Sequence, residues 1–389
     1  MTTDPFSCTS YVAGVIFPNL YELDVYLEQY LKHGGKPDIY NTEVKIGNRQ
    51  VSVLRCFDPE YAKNDKYKKV TNNPCFVGMV SGLGLVNAAM STQLLFTEYS
   101  PDNFIIGGIA GTTTNYHLAF EEDRDKFDCA CDVIVPSSWA ITDLQVSMPT
   151  TATPSDPVPL EGIDYTRDPP AEYMYQCPAE QTHLTWVEPS HLIQGNGKVT
   201  KQMFWDADPR LMEIAKEVAS NVTSIGLGGF TQLETQLINC TSQCRNYSTV
   251  RIGNTNGGSS NTFQSNAERG KWLLKTYNIS TVDMETAAAA QVATTYEVPF
   301  IGLRGISDTV GSQEGQLILE CTEPGRNCTN HADGADVAMR NVAALVDGML
   351  IRLCDEAAEF NVAENAAKTN VIHVLNIIIM LLGTLGIIS

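Results

Sequence analysis

Basic residues are scarce in this sequence: 26 Lys and Arg stand against 45 Asp and Glu in 389 residues, a formal charge of −19. That balance excludes recognition of a nucleic-acid backbone, which so many carboxylates would repel. Metal-ligand spacing is lacking too. The eleven Cys include no CxxC pair and the six His form no ligand pattern with them, so a zinc site is a poor reading. An odd cysteine count also rules out complete pairing within one chain. The first ten residues, Met1 to Ser10, have neither a basic leader nor a long apolar run. No internal repeat is visible. Hydrophobic residues make up 43% of the chain, enough for a sizeable core and against wholesale disorder.

Strand-like and helix-like stretches alternate. YVAGVI (11–16) reads as a buried strand, and Leu20, Leu23, Leu27 and Leu31 then recur at helical spacing. Further strands are expected at Val51–Cys56, Cys75–Val80, Phe104–Ile106, Asp132–Pro136, Ser224–Gly229, Thr249–Gly253 and Phe300–Arg304. Helices are expected at Val86–Tyr99, Pro209–Val218, Asn266–Tyr277 and Ala335–Ala357, with Thr281–Tyr296 dominated by an Ala-rich helix. The alternation predicts a single α/β domain over 11–357, its central sheet mixed but largely parallel and flanked by helices. A Pro-, Thr- and acid-rich stretch, about 148–185, reads as a surface insertion.

A polar small-residue spacer (358–369) precedes twenty residues, Asn370 to Ser389, without Lys, Arg, Asp or Glu. As a helix at about 1.5 Å per residue this hydrophobic tail would just span a bilayer; a lipid-anchor signal and a buried helix are the rival readings. Sequons start at Asn221, Asn239, Asn246, Asn278 and Asn327, two of them enclosing cysteines. The expectation is a membrane-associated glycoprotein of the extracellular or secretory route. A tail-anchored cytosolic protein is the alternative.

The chemistry concentrates between Val282 and Gly311, VDMETAAAAQVATTYEVPFIGLRGISDTVG. Glu285 opens the Ala-rich helix and Asp308 closes the following strand, so both can face the crevice at the carboxyl ends of an open sheet. Glu285 could equally serve only to complement a helix N-terminus, worth roughly 0.3–1 kcal/mol. This segment resembles the signature of the nucleoside phosphorylase/nucleosidase superfamily, V-x-M-E-x-A-A followed by R-x-I-S-D. Other stretches resemble that family in the same order: SGLGLVNAAMSTQLLF (81–96), IIGGIAG (105–111), CDVIVP (131–136) and SSNTFQSNAERGKWL (259–273). PNLYELDVYL is most similar to the 5′-methylthioadenosine nucleosidase-like and bark storage proteins.

The resemblance implies roles. Glu22 matches the carboxylate that activates water, and Met284 with Glu285 the pair that holds the ribose. Asp308 matches the acid that protonates the purine at N7, and Phe263 the aromatic that stacks on the base. Gly108, Ile109 and Ser307, from the two strand-end motifs, join the substrate-binding set. Glu22 could instead be a solvated helix residue and Phe263 a core residue. No metal or cofactor is implied. The ligand would be an adenine-type nucleoside, and a homo-oligomer is the expected assembly, its order not legible.

Ile106 stands where phosphorylases carry a phosphate-clamping Arg, which favours water as nucleophile. A phosphate cradle of backbone N–H groups at Gly82–Gly84 stays open. So do a purine phosphorylase and an inactive storage or nucleoside-binding protein. Two departures stand out. Cys131 replaces a family Gly, and Ile109 replaces a Ser or Thr.

Overall fold

The structure, a computed structural model, describes residues 8, 10–32, 41–46, 49–56, 74–114, 130–149, 175–176, 183–187, 190–193, 199–224, 248–311 and 335–359. The hydrophobic tail, all but the first two residues of the spacer, most of the 148–185 stretch and the sequons at Asn239, Asn246 and Asn327 lie outside them. No helix among the described residues is long and apolar enough to cross a membrane.

The first half of the domain contributes β1 (Ser10–Phe17), α1 (Leu20–Lys32), β2 (Asn41–Ile46), β3 (Arg49–Arg55), β4 (Pro74–Val80), α2 (Leu85–Tyr99), β5 (Phe104–Thr112), β6 (Val133–Val135) and β7 (Ser138–Ile141). Five short strands follow: β8 (Gln145–Pro149), β9 (Tyr175–Gln176), β10 (His183–Val187), β11 (Ser190–Ile193) and β12 (Val199–Gln202). They form a three-stranded and a two-stranded antiparallel sheet apart from the main one. The chain then returns through β13 (Phe204–Asp206), α3 (Pro209–Ser224), β14 (Val250–Ile252), β15 (Asn256–Ser259), α4 (Ala267–Tyr277), β16 (Ile279–Asp283), α5 (Thr286–Thr295) and β17 (Phe300–Thr309). A last helix, α6, runs over 335–359.

Twelve strands make the main sheet, in the order β13-β7-β15-β16-β5-β1-β4-β3-β2, with β17 beside β5 and β6, and β6 paired to β14. The α/β expectation holds, but "largely parallel" needs correction: six of the eleven pairings within this sheet are parallel and five antiparallel. The antiparallel pairs arise at the β2–β3–β4 meander and where β13, β16 and β17 meet neighbours running against them. The Thr281–Tyr296 stretch divides in two: its first residues belong to β16, every one of whose side chains is buried, and the Ala-rich helix begins at Thr286 with Glu285 as its N-cap, as expected. Ser224, expected to open a strand, ends α3 instead; the rest of that expected strand lies outside the described residues.

β5 is the pivot. Its first half pairs with β1 (Gly14↔Phe104 to Ile16↔Ile106), whereas its end pairs with β16 (Val282↔Gly111, Thr281↔Thr112). Along its other edge β17 follows it in parallel from Phe300 to Thr309. Beyond Ile106, therefore, β5 parts from β1 and a cleft opens at the carboxyl ends of β1, β5 and β17, where α/β folds place ligands. Helices seal the flanks: Leu95 and Phe96 of α2 pack with Ile106 in one core, and Val342, Leu345, Met349 and Leu350 of α6 pack with Phe17 and Leu303 in another. Disulfides join Cys8 to Cys75 and Cys56 to Cys354, across 67 and 298 residues. Each is worth roughly 2–4 kcal/mol through the constraint it puts on the unfolded chain.

Candidate active site

Asn19 caps α1, its Oδ1 accepting the Glu22 N–H at 3.0 Å. In a capping box the third helical carboxylate would reach back to the cap residue. Glu22 does not. Its Oε1 crosses to β5 and accepts the Ile109 N–H at 3.1 Å, while Oε2 has no hydrogen-bond partner among the described residues. The side chain is not solvated: Glu22 is 1% exposed. Burial pushes its carboxyl up to about 8, against the lowering pull of Arg304 and of the Ile109 N–H.

Arg304, in the middle of β17, is fully buried and connects the site. Its Nε lies 2.8 Å from Asp283 Oδ2 and its Nη2 3.7 Å from Glu285 Oε2. Nε and Nη2 also donate to Thr286 Oγ1 at 3.1 and 2.7 Å, and Nη1 to the Ile109 carbonyl at 3.3 Å. Gly108 gives the guanidinium its room. A Cβ there would overlap Arg304 Nη1 and come within 3.2 Å of Glu22 Oε2. Gly108 is not among the residues that line the cavity, and the space its missing side chain leaves is taken by Arg304.

Asp283 is the most heavily bonded carboxylate of the group. Besides Arg304, it accepts the Ser259 and Thr286 hydroxyls and the N–H groups of Glu285 and Thr286 at 3.1 and 3.2 Å. Glu285, two residues on, accepts the Gly84 N–H at 2.9 Å and the Met284 N–H at 3.3 Å. Burial raises its carboxyl to about 7; Arg304 pulls it down and Asp283 pushes it further up.

Asp308 owes its position to a bulge. β17 and β5 run in register to Ile306↔Ala110, then skip Ser307 so that Asp308 faces Gly111. Such a bulge re-aims the side chains that follow it. The Ser307 hydroxyl lies 2.7 Å from Asp308 Oδ1 and 3.2 Å from the Ala110 carbonyl.

These groups surround one cavity of about 330 Å³. Glu22, Ile109, Phe263, Met284, Glu285, Ser307 and Asp308, all expected from sequence, line it together with Pro18, Asn19, Leu83, Asn261 and Asp283. Phe263 is half-buried on the cavity wall and not in the core. Four carboxylates and no cationic side chain line the space among the described residues.

One donor of the Gly-rich turn, at Gly84, is occupied. Gly84 N–H is given to Glu285 and Leu85 N–H to Asn261 Oδ1 at 3.1 Å, so the first donors of α2 already serve protein acceptors. Ile106, at the phosphate-clamp position, is buried against Leu95 and Phe96. Among the described residues no group of three His, Cys, Asp or Glu is placed to hold a metal ion.

Sequence reasoning missed Asp283 and Arg304 as members of the site. Both stood inside quoted motifs, and the available signal was charge: an Asp and an Arg within strands that are buried almost throughout need partners.

Fold and cavity together have the build of a small-ligand α/β protein with buried acids at its strand ends. Residues 158–351 match the family model of the phosphorylase superfamily, and the chain belongs to that superfamily. The match contains Phe263, Met284, Glu285 and Asp308, and begins downstream of Glu22 and Ile109. No curated protein matches the chain.

Among solved structures, it is similar to 5′-methylthioadenosine/S-adenosylhomocysteine nucleosidase from Helicobacter pylori bound to butyl-thio-DADMe-Immucillin-A. The identity is 14% and the TM-score 0.54, over 88% of this chain and 99% of that one. A futalosine hydrolase mutant of H. pylori gives 14%, 0.52, 87% and 98%. The Neisseria meningitidis 5′-methylthioadenosine/S-adenosylhomocysteine nucleosidase with methylthio-immucillin-A gives 18%, 0.50, 87% and 98%. At these identities the likeness is one of fold.

Proposed function

We propose that this chain hydrolyses the N-glycosidic bond of adenine-type ribonucleosides such as 5′-methylthioadenosine. The observation that carries the reading is the unpartnered, buried Oε2 of Glu22 at the same cavity as Glu285 and Asp308. Breaking the bond develops positive charge on the ribosyl ring and negative charge on the departing base. Asp308 donates a proton to the base at N7, with Phe263 against the ring. Glu285 accepts from the ribose hydroxyls beside Met284. Glu22 takes the proton of the attacking water, its ionised form favoured by the cationic ring as that charge develops.

Water is favoured as the nucleophile on two grounds. No cationic side chain among the described residues lines the cavity to clamp phosphate, and the N–H groups of Gly84 and Leu85 are engaged by Glu285 and Asn261. Ile109 is compatible with turnover because it serves Glu22 and Arg304 through its backbone N–H and carbonyl.

Chromatography of nucleoside incubations with and without phosphate tests this reading. Free base and the free sugar, 5-methylthioribose from 5′-methylthioadenosine, at equal rates in both buffers is the expected result. Ribose 1-phosphate formed only with phosphate would make the chain a phosphorylase, and absence of base release would make it a binding or storage protein. The disulfides Cys8–Cys75 and Cys56–Cys354 support folding in an oxidising compartment.

A further inference from the structure

Cys131 stands where the superfamily resemblance calls for glycine, and its backbone explains the glycine. Its φ is 75°, in the left-handed region that side chains disfavour and glycine enters freely. The residue is 1% exposed and disulfide-bonded. It is also tied to the strand that carries Asp308. Cys131 N–H donates to the Ile306 carbonyl at 2.7 Å, and Ile306 N–H returns to the Asp132 carbonyl at 2.8 Å. From α6, Asn341 Nδ2 donates to the Cys131 carbonyl at 2.7 Å. Ile306 is the last in-register residue of β17 before the bulge that presents Ser307 and Asp308.

We propose that Cys131 is a positioning residue whose disulfide holds this left-handed turn, and through Ile306 fixes the strand end from which Asp308 projects. The proposal rests on the reading of Asp308 as the acid. Without its covalent partner, a side chain at 131 relaxes toward negative φ and withdraws its N–H from Ile306. Glycine keeps the turn with no bond at all. The two substitutions therefore separate the bond from the conformation it enforces.

Because the acid acts in the transition state, the loss falls on kcat rather than KM. Cys131→Ala is expected to lower kcat about 10-fold or more with KM within about 2-fold, since small misplacements of reacting groups cost one to two decades. Cys131→Gly is expected to stay within about 3-fold of the parent. Dithiothreitol delivers two electrons and two protons to the bond, leaving two thiols and its own cyclic disulfide. Treatment is expected to slow the parent more than Cys131→Gly, because Cys8–Cys75 and Cys56–Cys354 are open to reduction in both.

If dithiothreitol slows both equally, the other disulfides are responsible and the proposal falls. It falls also if Cys131→Ala matches the parent. Amide hydrogen exchange over 306–309 reads the same anchor without turnover. Exchange about 10-fold faster in Cys131→Ala and unchanged in Cys131→Gly supports it, and equal exchange overturns it. A parent chain that releases no base removes the reading of Asp308 alone, since the exchange measurement still decides whether Cys131 anchors the strand.

Discussion

Two buried carboxylates flank Arg304 and have opposite surroundings. Asp283 is saturated: a guanidinium, two hydroxyls and two backbone N–H groups fill its oxygens. Glu22 has one oxygen bonded to Ile109 and one with no partner among the described residues. A saturated buried acid holds structure and gains nothing from a ligand. An unsaturated one bears a desolvation cost that only a water or a ligand can relieve, and functional sites are where folded chains tolerate such a cost. Under the proposed function, Asp283 belongs to the frame and Glu22 to the machinery.

That contrast can be broken from the frame side first. Asp283→Asn leaves Arg304 buried without its nearest counter-charge, and the expected loss is about 3–5 kcal/mol in denaturant unfolding. An unchanged midpoint would show that Glu285 and Thr286 suffice for Arg304.

From the other side, Glu22→Gln is expected to stabilise the fold at alkaline pH. The folded-state pKa of Glu22, about 8, lies above the ordinary value of 4.5 because burial disfavours the charge. Its neutral form is thus the one the fold prefers. The stability it permits is complete below pH 4.5 and declines as pH rises through 8. Glutamine stays neutral throughout, so above pH 8 the variant should gain roughly 2–4 kcal/mol over the parent and nothing at pH 4. A variant destabilised at both pH values would contradict the assignment.

The smallest effect concerns the cap that starts Glu22's helix. Asn19→Ala should cost about 1 kcal/mol by denaturation. It also removes the cap acceptor for the Glu22 N–H, so a modest fall in activity accompanies it. No change in either quantity would mean that α1 is held by its buried Leu23, Val25 and Tyr26 alone.

Much of this arrangement was legible in the sequence, and the illegible parts share a cause. Helical spacing of Leu20, Leu23, Leu27 and Leu31 located α1, and composition located α2, α4 and α6 within a few residues. The three acids were legible through motifs that place them at element starts and ends. β16 was not, since its Ile-Ser-Thr-Val-Asp runs directly into the alanines of α5 and composition blurs the boundary. The bulge at Ser307 depends on register with β5, almost two hundred residues upstream, which no local pattern encodes. Arg304 and Asp283 are defined by each other across the fold, as is the occupation of the Gly84 and Leu85 donors by Glu285 and Asn261. Cys131 was visible as a departure, but its left-handed backbone was not.

The central claim is that Glu22, poised by burial and lacking one partner, activates the water. The pH dependence of kcat/KM for the parent and Glu22→Gln, measured side by side on 5′-methylthioadenosine, tests it most directly. The parent is expected to rise from pH 6 to a plateau above about 8, as Glu285 and then Glu22 lose their protons. Glu22→Gln should lie at least about 100-fold lower at pH 8 and lack the upper limb. A variant that keeps both the parent's rate and its limb near pH 8 would contradict the account.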